Sequence, residues 1–221
     1  MGMEYWVPGR PSTFATNHEA LWRETIIKQL GDKCNIHNSI EMEFRISRDN
    51  LIKYAFDIDN LCEPVFSSIT TYLGWYNSKR SNIERWKAIK TESAIEGMQL
   101  KDVEEIDLSM ERHKMIFDGV YQGRFPNKAT DPEIPEWLKS QDNFAKIKDN
   151  CAISLKFGSK SLSIATISSG KVKPVIDCLY PILGGARSVP DDHKITELYV
   201  EKSVEGLSDD QIRISIWERD N

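Results

Sequence analysis

The sequence has no paired-cysteine motif. Cys34, Cys62, Cys151 and Cys178 stand far apart, with no C-x-x-C and no histidine at zinc-ligand spacing beside them. A zinc ribbon and a disulfide scaffold are therefore excluded, and reduced, buried thiols in a cytoplasmic protein are expected. No apolar run approaches the roughly 20 residues that span a bilayer, so no membrane is expected as a partner. The opening Met1-Gly2-Met3-Glu4-Tyr5-Trp6 has neither a basic nor an apolar leader region. A myristoylation signal would want Ser or Thr where Trp6 stands. H-E-x-x-H, G-x-S-x-G and Walker A motifs are missing, and His18, His37, His113 and His193 are scattered. Positive charge is not in excess either. Lys and Arg total 29 against 34 Asp and Glu, a net charge of −5. That counts against a broad electrostatic nucleic-acid binder, leaves room for a local basic cleft, and favours a protein partner.

What is present is an ordinary globular composition over 221 residues: 40% hydrophobic, 29% charged and 10% aromatic. This length suits one large domain or two small ones. Laid on itself, the chain repeats. Val7-Pro8-Gly9-Arg10-Pro11 and Trp22 return as Tyr121-Gln122-Gly123-Arg124-Phe125-Pro126 and Trp137. The alternating Ile40-Glu41-Met42-Glu43-Phe44-Arg45-Ile46 returns as Cys151-Ala152-Ile153-Ser154-Leu155-Lys156-Phe157. Glu63-Pro64-Val65-Phe66 matches Lys173-Pro174-Val175-Ile176, and Ile83 and Lys90 match Ile195 and Lys202. Four blocks in one order at nearly constant offset imply a duplication, with repeats over residues 1–112 and 113–221. Neither repeat is basic: the first holds 14 basic and 18 acidic groups, the second 15 and 16. Residues 107–118 read as a charged, helix-compatible, ordered connector.

Periodicity gives one repeat its elements. Pro8-Gly9-Arg10-Pro11 is extended or turned. Leu21, Trp22, Ile26 and Leu30 predict a helix over 18–30 with Gly31 as its stop. Residues 39–46 alternate as a strand. A second helix is expected over 60–73, capped by Asp59 or Asn60 and with Pro64 in its first turn. Residues 83–91 and 98–108 are expected to pair as closing strands, as are 195–203 and 211–217 in the second repeat. Gly184-Gly185 reads as a flexible turn. The class is α+β.

Asp57-Ile58-Asp59-Asn60 is the sharpest local motif. Two carboxylates at i and i+2 ahead of a helix can share a divalent ion, and hard Mg²⁺ wants oxygen ligands. The same residues serve equally well as a helix cap. In context, Phe56-Asp57-Ile58-Asp59-Asn60-Leu61-Cys62-Glu63-Pro64-Val65 resembles the signature of RusA-type Holliday junction resolvases. That signature runs Asp-x-Asp-Asn, two residues, Lys, three residues, Asp, then an Asp-Asp pair and a strand with a Lys near its end. Pro8-Gly9-Arg10-Pro11 resembles the family's opening strand. Lys173-Pro174-Val175-Ile176-Asp177 is similar to its Lys-to-Asp helix, Asp191-Asp192 to its Asp-Asp pair, and Lys202 to its strand Lys.

The resemblance implies two tandem RusA-like units, each a mixed sheet with two helices, forming a single-chain pseudo-dimer that is a monomer in solution. It implies a Mg²⁺- or Mn²⁺-dependent endonuclease acting on branched DNA, the metal activating water at the scissile phosphate. The motifs are divided between the repeats. The first keeps Asp57, Asp59 and Asn60 but has Glu63 for the Lys and Ser67 for the helix Asp. The second keeps Lys173, Asp177, Asp191 and Asp192 but has Ile167-Ser168-Ser169-Gly170 for Asp-x-Asp-Asn. Three accounts stay open. Both repeats have lost catalysis and the protein is an inactive binding module for nucleic acid or protein. Or one composite site joins Asp57, Asp59, Lys173, Asp191 and Asp192. Or the first repeat works alone with Glu63 as an extra metal ligand, one turn from Asp59.

The candidate catalytic set is therefore Asp57, Asp59, Glu63, Lys173, Asp191 and Asp192, with Asp57, Asp59, Glu63 and Asp192 as metal ligands. DNA contacts are expected from Arg10, Lys79, Arg80, Arg85, Lys87 and Lys173, interleaved with Trp75, Tyr76 and Trp86. The acidic run over 102–107 reads as a solvated face.

Overall fold

The alternation of β2 (Ser39–Ile46) fixes the first sheet. Ile40, Met42, Phe44 and Ile46 are buried, while Glu41, Glu43 and Arg45 point to the other face. The structure is a computed structural model that describes residues 3–31, 36, 39–54, 56–72, 83–141, 145–203 and 205–219. The chain divides into two units, Met1–Asp107 and Leu108–Asn221. The predicted connector holds a short 3₁₀ turn over Ser109–Arg112 and the start of β5 (Lys114–Gln122).

In the first unit the order is β1 (Glu4–Pro8), α1 (Glu19–Leu30), β2, α2 (Arg48–Lys53), α3 (Ile58–Tyr72), β3 (Arg85–Glu92) and β4 (Gly97–Val103). The strands lie β1-β4-β2-β3. β4 is antiparallel to both neighbours, and β2 runs parallel to β3 with α3 as the crossover. The expected pairing of the two closing strands is thus corrected: β3 and β4 each pair with β2 and not with each other. Trp22, Ile26 and Leu30 of α1 and Leu61, Val65, Phe66 and Ile69 of α3 are buried, with Phe66 4.9 Å from Trp86 between ring centroids. The short α2 buries none of its residues.

The second unit runs β5, α4 (Glu133–Lys139), β6 (Cys151–Gly158), α5 (Ile164–Gly170), α6 (Val172–Asp177), α7 (Tyr180–Leu183), β7 (Gly185–Ala186), β8 (Val189–Pro190), β9 (Ile195–Ser203) and β10 (Gln211–Glu218). Its four long strands lie β5-β10-β6-β9, with β6 parallel to β9 and β10 antiparallel to both neighbours. Strand order and strand sense are the same as in the first unit. Here too the two closing strands flank the central one. Gly184-Gly185, read as a flexible turn, instead leads into a small two-stranded ribbon, β7–β8.

One proline is handled differently in the two units. Pro64 lies well inside α3, not in its first turn, and has no N–H for the Asn60 carbonyl. The backbone N–H of Phe14 donates to that carbonyl at 3.1 Å instead, tying the segment after Pro8-Gly9-Arg10-Pro11 to the start of α3. In the second unit the helix breaks at Lys171 (φ −123°, ψ −33°), and Pro174 falls in the first turn of α6.

Among the described residues no helix is long and apolar enough to cross a membrane.

Candidate functional site

The start of α3 collects the first unit's polar motif. Asp57 takes the cap position predicted for Asp59 or Asn60: its carbonyl accepts the N–H of Leu61 at 3.0 Å. Its carboxylate Oδ2 accepts from Asn60 Nδ2 at 3.0 Å. Asp59 follows in the first turn, where the helix dipole favours an anion, and is only 6% exposed. Its charge adds to burial in pushing the Cys62 thiol well above the usual range. Glu63 is half-buried one turn further on.

Lys90 of β3 reaches this segment, its Nζ donating to the Phe56 carbonyl at 2.6 Å. In the sequence Lys90 belongs to the basic cluster of Lys79, Arg80, Arg85 and Lys87, though it is not among the expected DNA contacts. Its match to Lys202, which stands at the strand-Lys position of the resemblance, is the signal that finds it.

Lys173 organises the second unit's motif. From α6 its Nζ donates to Asp177 Oδ1 at 2.9 Å, one turn away, and to Asp192 Oδ2 at 3.3 Å. Asp192 opens the 3₁₀ turn that precedes β9. Both carboxylates are nearly enclosed, Asp177 at 7% and Asp192 at 6% exposed. Burial raises the Asp177 pKa, the charge of Asp192 adds to the rise, and the Lys173 hydrogen bond opposes it. Asp191 is not part of this group. Its Oδ2 lies 3.0 Å from Lys194 Nζ, and Lys194 also donates to the carbonyls of Leu183 and Ile147. The Asp-Asp pair is thus divided between two lysines.

Of the expected metal ligands, Asp57, Asp59 and Glu63 stand at the start of α3 in the first unit and Asp192 stands in the second. Among the described residues no group of three His, Cys, Asp or Glu side chains is placed to hold a metal ion. Asp57 is engaged at the cap with Asn60, Asp59 is buried in the first turn of α3, and Glu63 is half-buried one turn on. In the second unit an ammonium already bridges the two buried carboxylates, the place a divalent cation would need.

The expected basic residues fall in different settings. Lys87, expected on DNA, is 2% exposed and its Nζ donates to the Asp107 carbonyl. Arg85 holds Ser39 Oγ and the Glu104 carbonyl, both at 2.9 Å, locking the beginning of β2 to the chain after β4. Lys173 is neutralised by its two carboxylates, which disfavours a phosphate there. Arg10 stands beside the Tyr54 ring, 5.2 Å from its centroid. Lys79 and Arg80, with Trp75 and Tyr76, lie outside the described residues. In the acidic run Asp102 is buried on β4, whereas Glu104, Glu105 and Asp107 are exposed.

Of the cysteines, Cys62, Cys151 and Cys178 are buried free thiols, and burial pushes Cys178 up to about 12. Cys34 lies outside the described residues.

The chain matches no protein-family model and no curated protein.

Proposed function

We propose that the chain is a tandem pair of RusA-like units that binds branched DNA without hydrolysing it. The observation that carries this reading is the Lys173 bridge, 2.9 Å from Asp177 and 3.3 Å from Asp192. A partly exposed ammonium sits between two buried carboxylates and offsets part of their charge without a metal. The cap role of Asp57 works in the same direction in the first unit. The matching strand orders of the two units support their origin by duplication.

A second reading, hydrolysis in the first unit alone, draws on the contact of Lys90 with the Phe56 carbonyl, which sets a cation beside the Asp57-Ile58-Asp59-Asn60 segment. One assay separates the two. A labelled four-way junction, a flap and a linear duplex are incubated with the full chain in Mg²⁺ and in Mn²⁺, beside an Asp57→Asn/Asp59→Asn variant. The binding reading expects a salt-sensitive complex with the branched forms and no cut strand. Metal-dependent cutting that disappears in the variant would overturn it and establish the second reading.

A further inference from the structure

Two cations of the first unit share a partner that carries no charge. Arg10 Cζ lies 5.2 Å from the Tyr54 ring centroid, and Lys53 Nζ lies 5.2 Å from the same centroid. Hydrogen bonds from Lys53 and then Arg10 hold the phenol pKa below its ordinary value although the side chain faces solvent. Among the described residues neither cation has a carboxylate within ion-pair distance. By contrast Arg45, Lys156, Lys194 and Arg213 each have one. Glu96, the carboxylate that feels the Arg10 charge, is already held by the Ser47 backbone N–H (2.9 Å), the Ser47 hydroxyl (2.7 Å) and Asn50 Nδ2 (2.6 Å).

The three residues are fixed by separate pieces of chain. Arg10 follows Gly9, whose φ of +103° only glycine adopts readily and whose N–H donates to the Glu96 carbonyl at 3.2 Å. Lys53 ends α2, and Tyr54 rests against Phe56 at 5.8 Å. The group lies just past the carboxyl end of β2, which pairs in parallel with β3; at such ends open α/β sheets receive ligands.

We propose that Arg10, Lys53 and Tyr54 form a seat for the phosphate backbone of single-stranded nucleic acid. Guanidinium and ammonium each take a phosphate oxygen, the phenol O–H turns to donate to the same group, and the exposed part of the ring lies beside the adjoining base. This rests on the binding reading above and names its contact surface in the first unit.

The test is fluorescence anisotropy with the full chain and a labelled oligothymidylate, repeated over a salt series, with a labelled four-way junction as a second probe. Arg10→Gln removes a half-buried charge and Lys53→Gln an exposed one; Lys139→Gln, an exposed cation of the second unit, is the control. The seat predicts about tenfold weaker oligothymidylate binding in the double variant. It also predicts a salt slope shallower by about 0.7 for each cation removed. Lys139→Gln leaves both unchanged. Wild-type binding to the junction with no change in affinity or slope in the double variant would overturn the seat and leave the binding reading standing. No binding of either probe by the wild type would overturn both.

Discussion

Lys173 shows how one side chain can change what a cluster does. With the ammonium in place, the charges of Asp177 and Asp192 are partly offset; without it, two buried like charges face each other. Lys173→Met is expected to cost about 2 kcal/mol at neutral pH, between the values for exposed and fully buried pairs, because the Lys173 side chain is itself partly exposed. The sign of the pH effect follows from Asp177. Its folded pKa is raised, so the folded state holds that proton more tightly than the unfolded chain, and stability falls as pH rises from the ordinary carboxylate pKa through the raised one. Removing Lys173 removes a lowering influence, so this fall becomes steeper and the variant recovers on acidification. Urea unfolding of both proteins at pH 7 and near pH 5 checks this; an equal deficit at both values would contradict it. The grouping of Lys173 with Asp177 and Asp192 was legible through the family resemblance. The departure of Asp191 to Lys194 was not, since nothing in two adjacent aspartates says which lysine each will meet.

The helices and strands were legible where apolar spacing is regular. Residues 39–46 form the expected strand, and α1 and α3 lie within a few residues of their expected spans. Pairing was not legible: β3 and β4 follow each other in sequence, yet the parallel crossover sends each to a different side of β2. The fate of Lys87 and Arg85 follows from the same cause. Both sit on β3 and read as DNA contacts, but β3 lies against β2, and their head groups bond to Asp107, Glu104 and Ser39.

At this scale Pro64 offers a direct test. Its missing N–H leaves the Asn60 carbonyl to Phe14. Pro64→Ala supplies an intrahelical donor that competes for the same oxygen. The Phe14 amide is then expected to exchange its hydrogen at least several-fold faster while exchange in β2 is unchanged. Equal Phe14 protection in both proteins would show that this carbonyl does not hold the segment.

Over the whole molecule, the two units share a strand order: each lays its last long strand between its first and second and runs its second parallel to its third. The division of motifs between the repeats also has a physical form. The first unit keeps its aspartates at a helix cap, the second keeps its aspartates around a lysine, and neither gathers three acidic ligands among the described residues. The proposed binding role implies that the protein's own groups, rather than a divalent ion, offset the charge of these carboxylates. Its most direct test is the electron paramagnetic resonance signal of free Mn²⁺ titrated with the full chain. The account predicts that equimolar protein at tens of micromolar leaves the free-ion signal unchanged, and that Lys173→Met reduces it. A stoichiometric loss of signal with the wild-type chain, restored in Asp57→Asn/Asp59→Asn, would contradict the account and return the first unit to the metal-dependent nucleases.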